Sequence, residues 1–366
     1  MLKAPIPYYG GKSRIADEVW KRFGSVQNSI EPFFGSGAVL LGRPNPSGIE
    51  TVNDIDGMVS NFWRALQQAP DEVSYHVDWP VNENDLHARH IWLVNHKPSI
   101  TAQLEGDPDW YDAKAAGWWA WGMSCWIGSG FCSGQGPWQS VDGLMTKVER
   151  DTAGVSRQLP HLGDAGKGVN RQLPHLGNAG KGVNRQRPHL GNAGQGVNRQ
   201  LPYLGDAGKG VNRQGDLYAY MQALADRMRD VRVCCGDWSR ICGPTPTTKM
   251  GLTAVFLDPP YSEEVGRDMG LYAHESGTVA HEVRDWAIAH GDDPLMRIAL
   301  CGYDGEHPMP EGWTEYRWKT QGGYGNQGDV RGRENAEREV VWFSPHCLKQ
   351  DQMQAPLWKE EIWHSR

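Results

Sequence analysis

The first 70 residues alternate between short strand-like segments and segments in which apolar residues recur at helical spacing. Apolar positions three and four apart predict helices over 15–23 and 58–68, whereas the short segments 29–33 and 48–53 predict strands. A glycine turn follows the first strand, and Asp54 follows the second. This order of strand, glycine turn, helix, strand and acid is typical of a nucleotide-binding half of an α/β fold.

The same alternation returns after residue 215. Leu217, Tyr220, Leu224 and Met228 share one face of a predicted amphipathic helix over 216–229. Strands are predicted at 231–235, 254–257, 297–301 and 338–343, and a helix at 279–290. The two regions together predict one α/β domain that is interrupted by a long insertion.

The insertion, residues 70–214, lacks this alternation. Residues 86–95 and 112–127 are expected to be helical, and the second segment contains tryptophans at positions 118, 119, 121 and 126. Tryptophans in such a run are more typical of a core than of a base-stacking surface. Because the chain has 366 residues and a single core usually stops growing at roughly 250–300, we expect the insertion to form a second lobe.

Four similar 14-residue repeats occupy residues 157–212 of the insertion. Each copy holds one proline and three glycines, which excludes a regular helix. From Arg157 to Arg213 there are nine basic and two acidic residues, although the formal charge of the whole chain is −7. This asymmetry is expected if the repeats contact phosphate. The alternative is a tolerated loop expansion, since loop closure costs only about 0.6 kcal/mol per doubling of length.

Cysteine content and apolar stretches indicate the cell compartment and bear on whether disulfides, a zinc site or a membrane span are present. The seven cysteines are odd in number and form no C-x-x-C pair, which indicates neither a disulfide framework nor a zinc site. The N-terminus has no apolar signal region, and the most apolar stretch, 118–131, is too short to span a bilayer. We therefore expect a cytoplasmic protein with no metal and no membrane partner.

The run Asp258-Pro259-Pro260-Tyr261 follows the predicted buried strand 254–257 directly. Ligands of open α/β sheets bind beyond the carboxyl ends of the strands. Two prolines remove two backbone donors, so the carbonyls of this turn are available to an external donor. Asp258 and the Pro259 carbonyl suit the two hydrogens of an exocyclic amino group, and Tyr261 offers a ring for base stacking. A capped turn is the structural alternative.

Three further segments are candidates for binding a nucleoside. Phe33-Phe34-Gly35-Ser36-Gly37 allows close approach of a ligand to the backbone, or is a plain tight turn. Asp54, about 20 residues further on, is placed to accept ribose hydroxyls, or caps the following helix. Asp237 and Trp238 follow a third strand and suit the amino group and ring of adenine, although acids are common in polar turns.

Together these motifs resemble the Dam-type class of N6-adenine DNA methyltransferases, particularly versions carried by phages and prophages. The resemblance covers residues 1–68 and 215–345, with the motifs in the family's order. It implies a Rossmann-like S-adenosylmethionine-dependent methyltransferase sheet, mostly parallel with the last strand reversed. It also implies a first catalytic part at 1–69, a target-recognition lobe at 70–214, a second catalytic part at 215–345 and a tail at 346–366.

The resemblance implies roles for individual residues. Asp258, Pro259, Pro260 and Tyr261 would be catalytic. The residues expected to bind S-adenosylmethionine are Tyr8, Gly11, Lys12, Glu31, Phe33, Gly35, Gly37, Asp54, Asp237 and Trp238. The residues expected to contact double-stranded DNA are Arg157, Lys167, Arg171, Lys181, Arg185, Arg199, Lys209, Arg331 and Arg333.

The function implied by the resemblance is methyl transfer to the N6 amino group of adenine in DNA after base flipping, in the cytoplasm of a bacterial or phage-infected cell. The alternatives are methylation of cytosine N4 or of an RNA adenine, and a DNA-binding protein of this fold without turnover. Asp258 favours adenine, because related cytosine enzymes tend to have serine there. A partner restriction nuclease is compatible with the sequence but is not indicated by it.

Overall fold

In a computed structural model of the chain, residues 2–8, 12–46, 48–107, 109–126, 131–132, 138–141, 144–147, 211, 216–261, 278–318 and 339–349 are described. Every described residue belongs to one compact unit formed by residues 1–147 and 201–366. A second unit, residues 148–200, holds most of the repeats and lies outside the described residues.

The described strands are, in chain order, β1 (Asn28–Glu31), β2 (Ile49–Asp54), β3 (Trp138–Val141), β4 (Leu144–Lys147), β5 (Val231–Cys235), β6 (Thr253–Leu257), β7 (Met296–Tyr303), β8 (Thr314–Arg317) and β9 (Glu339–Phe343). The described helices are α1 (Ala16–Phe23), α2 (Ala38–Leu41), α3 (Gly57–Gln68), α4 (Pro70–Val77), α5 (Glu83–Gly106), α6 (Ala113–Cys125), α7 (Leu217–Met228) and α8 (Val279–His290). Single 3-10 turns occupy Lys12–Arg14, Trp238–Ile241 and Thr248–Met250.

Seven of the described strands form one sheet in the order β5-β2-β1-β6-β7-β9-β8. Neighbouring strands are parallel from β5 to β7, whereas β9 pairs antiparallel with both β7 and β8. The structure thus confirms the predicted mostly parallel α/β sheet with its last strand reversed. β3 and β4 form a separate antiparallel pair.

Helices cover both faces of the sheet. β6 is buried along its whole length, and successive strand side chains point to opposite faces. Ala254 and Phe256 therefore pack on one face with α1 residues such as Trp20. Val255 and Leu257 pack on the other face with α8. Such two-sided burial explains why β6 is a continuous apolar run with no polar alternation.

Helices α4, α5 and α6 of the insertion share a hydrophobic core with α3 and α7. Phe62 of α3 contacts Trp119 of α6 with ring centroids 5.8 Å apart. Trp119 and Trp121 are buried, and the Trp121 indole nitrogen donates to the Trp79 carbonyl. The tryptophan run is thus core, as its sequence favoured. The assignment of residues 70–214 to target recognition stays a prediction.

Most element predictions are confirmed to within two residues, but α4, β8 and the β3–β4 pair were missed. Pro70 stands in the first turn of α4, where its missing N–H costs nothing, and not at a loop start. β8 reads Thr-Glu-Tyr-Arg and is largely exposed, so it shows no apolar pattern. The predicted helix 86–95 is part of the much longer α5.

Candidate active site

Four acidic side chains line the carboxyl edge of the sheet. β1 ends in Glu31 and β2 ends in Asp54, while Asp237 and Asp258 come soon after the ends of β5 and β6. These four strands are neighbours and run parallel, so their carboxyl ends lie at the same edge. The structure thereby brings together residues that are more than 200 positions apart in sequence.

Lys12 contacts the turn that follows β6. Its side chain is 5% exposed, and its Nζ lies 3.0 Å from Asp258 Oδ1. The same nitrogen donates to the Tyr261 hydroxyl over 3.0 Å. Lysines near a chain terminus are usually solvated, but this one is buried beside an acid and a phenol. The predicted cofactor-binding lysine and the predicted catalytic turn therefore form one cluster.

Glu339, the first residue of β9, completes this cluster and was missed by sequence reasoning. The Tyr261 hydroxyl donates to Glu339 Oε2 over 2.7 Å, and Lys12 Nζ lies 3.8 Å from the same oxygen. Burial raises the pKa of Glu339, against the opposing influence of Lys12. Burial and the neighbouring Glu339 and Asp258 carboxylates raise the pKa of Tyr261 well above its ordinary value. Tyr261 therefore remains a protonated donor near neutral pH.

The glycine turn after β1 is held in conformations that favour glycine. Gly35 has φ +49° and Gly37 has φ +70°, both in the left-handed region. A Cβ at Gly35 would lie 2.7 Å from a ring carbon of Tyr8, so the Tyr8 ring packs directly on the turn. The Trp63 indole nitrogen donates to the Gly35 carbonyl from the other side. Phe33 and Trp238 stack with ring centroids 6.3 Å apart.

Asp54 faces this turn. Its Oδ2 accepts from the Gly35 N–H and its Oδ1 from the Asp56 N–H, each over 2.9 Å. The N-cap of α3 is Asp56, whose side chain accepts from Met58 N–H, so the capping alternative for Asp54 does not hold. Burial, followed by the charge of Asp56, raises the pKa of Asp54 to about 7.

The Asn53 side chain ties the loops at this edge together. Its amide nitrogen donates to the Pro32 carbonyl over 3.1 Å and to the Gly236 carbonyl over 2.9 Å. These carbonyls belong to the loops after β1 and β5, on either side of β2. A single amide therefore fixes the relative positions of the glycine turn and the Asp237 turn.

Glu31 is a buried acid whose carboxylate is only partly satisfied. Its side chain accepts a backbone hydrogen bond from Leu40, but Oε1 is buried without a hydrogen-bond partner among the described residues. Burial, with a further contribution from Glu50, raises the pKa of Glu31 to about 8. A buried carboxylate oxygen of this kind favours a cation or a donor group supplied by a ligand.

Asp237 has the structural role given above as the alternative, that of an acid in a polar turn. It is exposed, and its Oδ1 accepts from the Ser239 N–H over 2.9 Å at the start of the 3-10 turn Trp238–Ile241. Trp238 is buried and contacts both Phe33 and Trp286. The proposed contact of Asp237 with adenine stays a prediction.

Several predicted site residues lie outside the described residues. Gly11 is one of them, as are the nine basic residues expected to contact DNA: Arg157, Lys167, Arg171, Lys181, Arg185, Arg199, Lys209, Arg331 and Arg333. Pro259 is buried, and Pro260 and Tyr261 are partly buried.

The described part of the chain shows neither a metal-binding cluster nor a membrane-spanning helix. Within it, no group of three or more His, Cys, Asp or Glu side chains is arranged to hold a metal ion. None of the helices described there has the length and apolar character needed to cross a membrane.

Comparison with known proteins gives one family. Residues 8–90 match the family model described as D12 class N6 adenine-specific DNA methyltransferase, which confirms the predicted resemblance over this segment. The matched range includes Tyr8, Lys12, Glu31 and Asp54 and ends before Asp258. It supports an N6-adenine DNA methyltransferase, and the family implies a DNA substrate. No curated protein matches the chain.

Proposed function

We propose that this protein transfers the methyl group of S-adenosylmethionine to the N6 amino group of adenine in DNA, acting on a base flipped out of the duplex. The observation that carries the proposal is the position of Asp258-Pro259-Pro260-Tyr261. This turn follows β6 at the sheet edge that also bears Glu31 and Asp54, and the matched family segment supplies both of those acids.

The residues at this edge fit the proposed cofactor. Glu31 offers a buried carboxylate oxygen that has no hydrogen-bond partner within the described part of the chain, which suits a cationic amino acid group. Gly35 and Gly37 allow the left-handed backbone of the turn after β1, and Asp54 keeps acceptor capacity beyond its two amide donors. When bound, S-adenosylmethionine supplies a methyl group already activated on sulfur, so the protein needs no covalent nucleophile.

The turn after β6 would handle the target base. Asp258 and the Pro259 carbonyl accept the two N6 hydrogens, which draws the nitrogen toward tetrahedral geometry and makes its lone pair available. Asp258 Oδ1 already accepts from Lys12, but a carboxylate has about four lone-pair sites and retains capacity for the amine. The nitrogen would form its bond to the methyl carbon as the carbon–sulfur bond breaks, and Asp258, which accepts one of the N6 hydrogens, would take the proton that the methylated nitrogen releases. Positioning and hydrogen bonding supply most of the rate enhancement.

Base flipping explains the need for an aromatic side chain in the turn. Extruding a base from a duplex costs a few kcal/mol of stacking and pairing. Stacking on an aromatic ring returns about 1–3 kcal/mol per base. Tyr261 supplies that ring, and its edge-to-face contact with Tyr303, with centroids 4.5 Å apart, holds it in place.

The test is transfer of tritiated methyl groups from S-adenosylmethionine to DNA lacking methylated bases. We expect Asp258→Ala to lower incorporation by more than about 100-fold, because it removes an acceptor that acts on the reacting nitrogen. Cofactor binding should be retained. The exposed Asp226, on α7, provides the matched control Asp226→Ala, which should retain full activity.

Nucleoside analysis of the product identifies the methylated base. N6-methyladenine in DNA supports the proposal, whereas N4-methylcytosine or methylation of RNA alone refutes it. Near-normal turnover by Asp258→Ala would refute the assigned mechanism. A wild-type protein that binds DNA and transfers no methyl group would be a DNA-binding protein of this fold.

A further inference from the structure

The reversed strand brings one more residue to the carboxyl edge. β9 is antiparallel to β7, so its first residue, Glu339, pairs with Tyr303, the last residue of β7. A parallel strand in this position would instead place its last residue there. Topology alone therefore puts Glu339 beside the turn that follows β6, the strand next to β7.

Glu339 accepts the hydrogen bond that the Tyr261 hydroxyl donates. The Tyr261 hydroxyl oxygen is 2.7 Å from Glu339 Oε2 but 3.4 Å from Asp258 Oδ1. A phenol has one proton to donate, and the shorter distance assigns it to Glu339. The hydroxyl oxygen can then accept from Lys12, whose Nζ is 3.0 Å away.

The same contacts fix the ring of Tyr261 at two places. Its hydroxyl end is held by Glu339, which is 6% exposed, and its ring meets Tyr303 at an interplanar angle of 69°. Hydrogen bonds to a buried charged group are stronger and more directional than those between neutral groups. The plane of the ring is therefore set by the protein before any base arrives.

We propose that Glu339 is a positioning residue that orients the Tyr261 ring for stacking on the flipped adenine by accepting its hydroxyl hydrogen bond. This role rests on the proposed function. Glu339 does not touch the reacting atoms. It acts through Tyr261, so its contribution disappears when the hydroxyl of Tyr261 is absent.

A double-mutant cycle between Glu339 and Tyr261 tests this role. Methyl transfer to DNA lacking methylated bases is measured for wild type, Glu339→Leu, Tyr261→Phe and the double variant, at saturating S-adenosylmethionine and varied DNA. We expect each single substitution to lower kcat about 10- to 100-fold, the range of a hydrogen bond to a charged group. The double variant should lie within about twofold of Tyr261→Phe.

Glu339→Gln keeps the side-chain volume and an acceptor oxygen, so it should retain more activity than Glu339→Leu. It also replaces Glu339→Leu in the cycle if the leucine variant does not fold. S-adenosylmethionine binding should change by less than about twofold in each variant. Glu315 of β8, whose Oε1 accepts from the Trp342 indole nitrogen on β9, provides the control Glu315→Gln, with activity unchanged.

The outcomes separate the two proposals. Losses that multiply in the double variant overturn the positioning role, because they show that Glu339 acts independently of the Tyr261 hydroxyl. An unchanged kcat in Glu339→Leu overturns it equally. Absence of methyl incorporation by the wild-type protein overturns the proposed function, and the role of Glu339 with it.

Discussion

At Glu31 the fold buries an ionisable side chain for which it provides few partners. Burial raises the pKa of Glu31 to about 8 from an ordinary value of 4.5. The folded state therefore binds a proton that the unfolded state has released, over the range from about pH 4.5 to 8. The stabilising contribution is complete below the unfolded pKa and is lost as the pH rises through the folded pKa.

Glu31→Gln should stabilise the protein at alkaline pH. The amide keeps an acceptor for the Leu40 backbone and removes the buried charge. We expect the free energy of unfolding at pH 8.5 to rise by on the order of 2–4 kcal/mol, with the difference shrinking as the pH falls toward 4.5. Urea unfolding of both proteins at pH 8.5 and near pH 4.5 measures this difference in the free energy of unfolding.

The control for this prediction is Glu311→Gln at an exposed turn position, which should show little change at either pH. An effect of Glu31→Gln that is equal at pH 5 and pH 8.5 would contradict the prediction. We also expect weaker S-adenosylmethionine binding in Glu31→Gln, since glutamine cannot lose a proton to become a carboxylate beside a cationic group of the cofactor.

The roles of residues were predictable where an acidic residue comes at the carboxyl end of a predicted strand. Asp54 and Asp258 each come at the end of a predicted strand, and the structure places both at the carboxyl edge. Glu339 comes at the beginning of an apolar run, where sequence gives no reason to expect a site. Glu339 lies at the carboxyl edge only because β9 pairs antiparallel with β7 and β8. The direction of that pairing depends on strands that are distant in sequence.

Strands were predictable where most of their residues are apolar. β5, β6 and β7 are largely apolar and were found from the sequence, whereas the exposed β8 was not. The length of α5 was underestimated because its apolar positions follow no single face and Pro98 lies inside it. A buried face gives a strand a pattern of apolar residues that can be recognised in the sequence, whereas an exposed strand at a sheet edge has no such pattern.

The contribution of the repeats at 157–212 to DNA affinity can be tested directly. If their arginines and lysines contact phosphates, removal of two copies should make the decrease of DNA affinity with salt less steep. The log–log slope should change by about 0.9 for each phosphate that the protein no longer neutralises. Binding to a fixed duplex at a series of salt concentrations measures the slope.

Deletion of two copies removes as many as four basic side chains, so the matched control replaces those residues with glutamine and keeps the loop length. A slope that is unchanged in both variants would show that the repeats make no phosphate contact. It would support a tolerated loop expansion.

At the scale of the whole molecule, the described core lies within residues 1–147 and 201–366. Replacement of residues 148–200 by a flexible Gly/Ser linker of about 10–15 residues should leave one cooperative thermal transition, because the described core stays intact. Calorimetry and far-UV circular dichroism measure this.

The expected change in Tm is within about 4 °C, which corresponds to roughly 1–2 kcal/mol for a domain of this size. Loss of cooperativity would show that the replaced segment contributes to the core. Methyl transfer by the same variant then separates a folding role of residues 148–200 from a role in DNA recognition.

The order β5-β2-β1-β6 places two strands that precede the insertion between two that follow it. β1 and β2 by themselves would have unpaired edges on both sides, and β5 and β6 would not touch each other. A peptide bond cut anywhere in residues 148–200 would leave β1 and β2 on one fragment, and on the other β5 separated from the four strands β6-β7-β9-β8, so the seven-stranded sheet would form only when the fragments reassociate. Glu31 and Asp54 lie before residues 148–200, and Asp237, Asp258 and Glu339 lie after them, so a cut there should abolish methyl transfer until the two fragments reassociate.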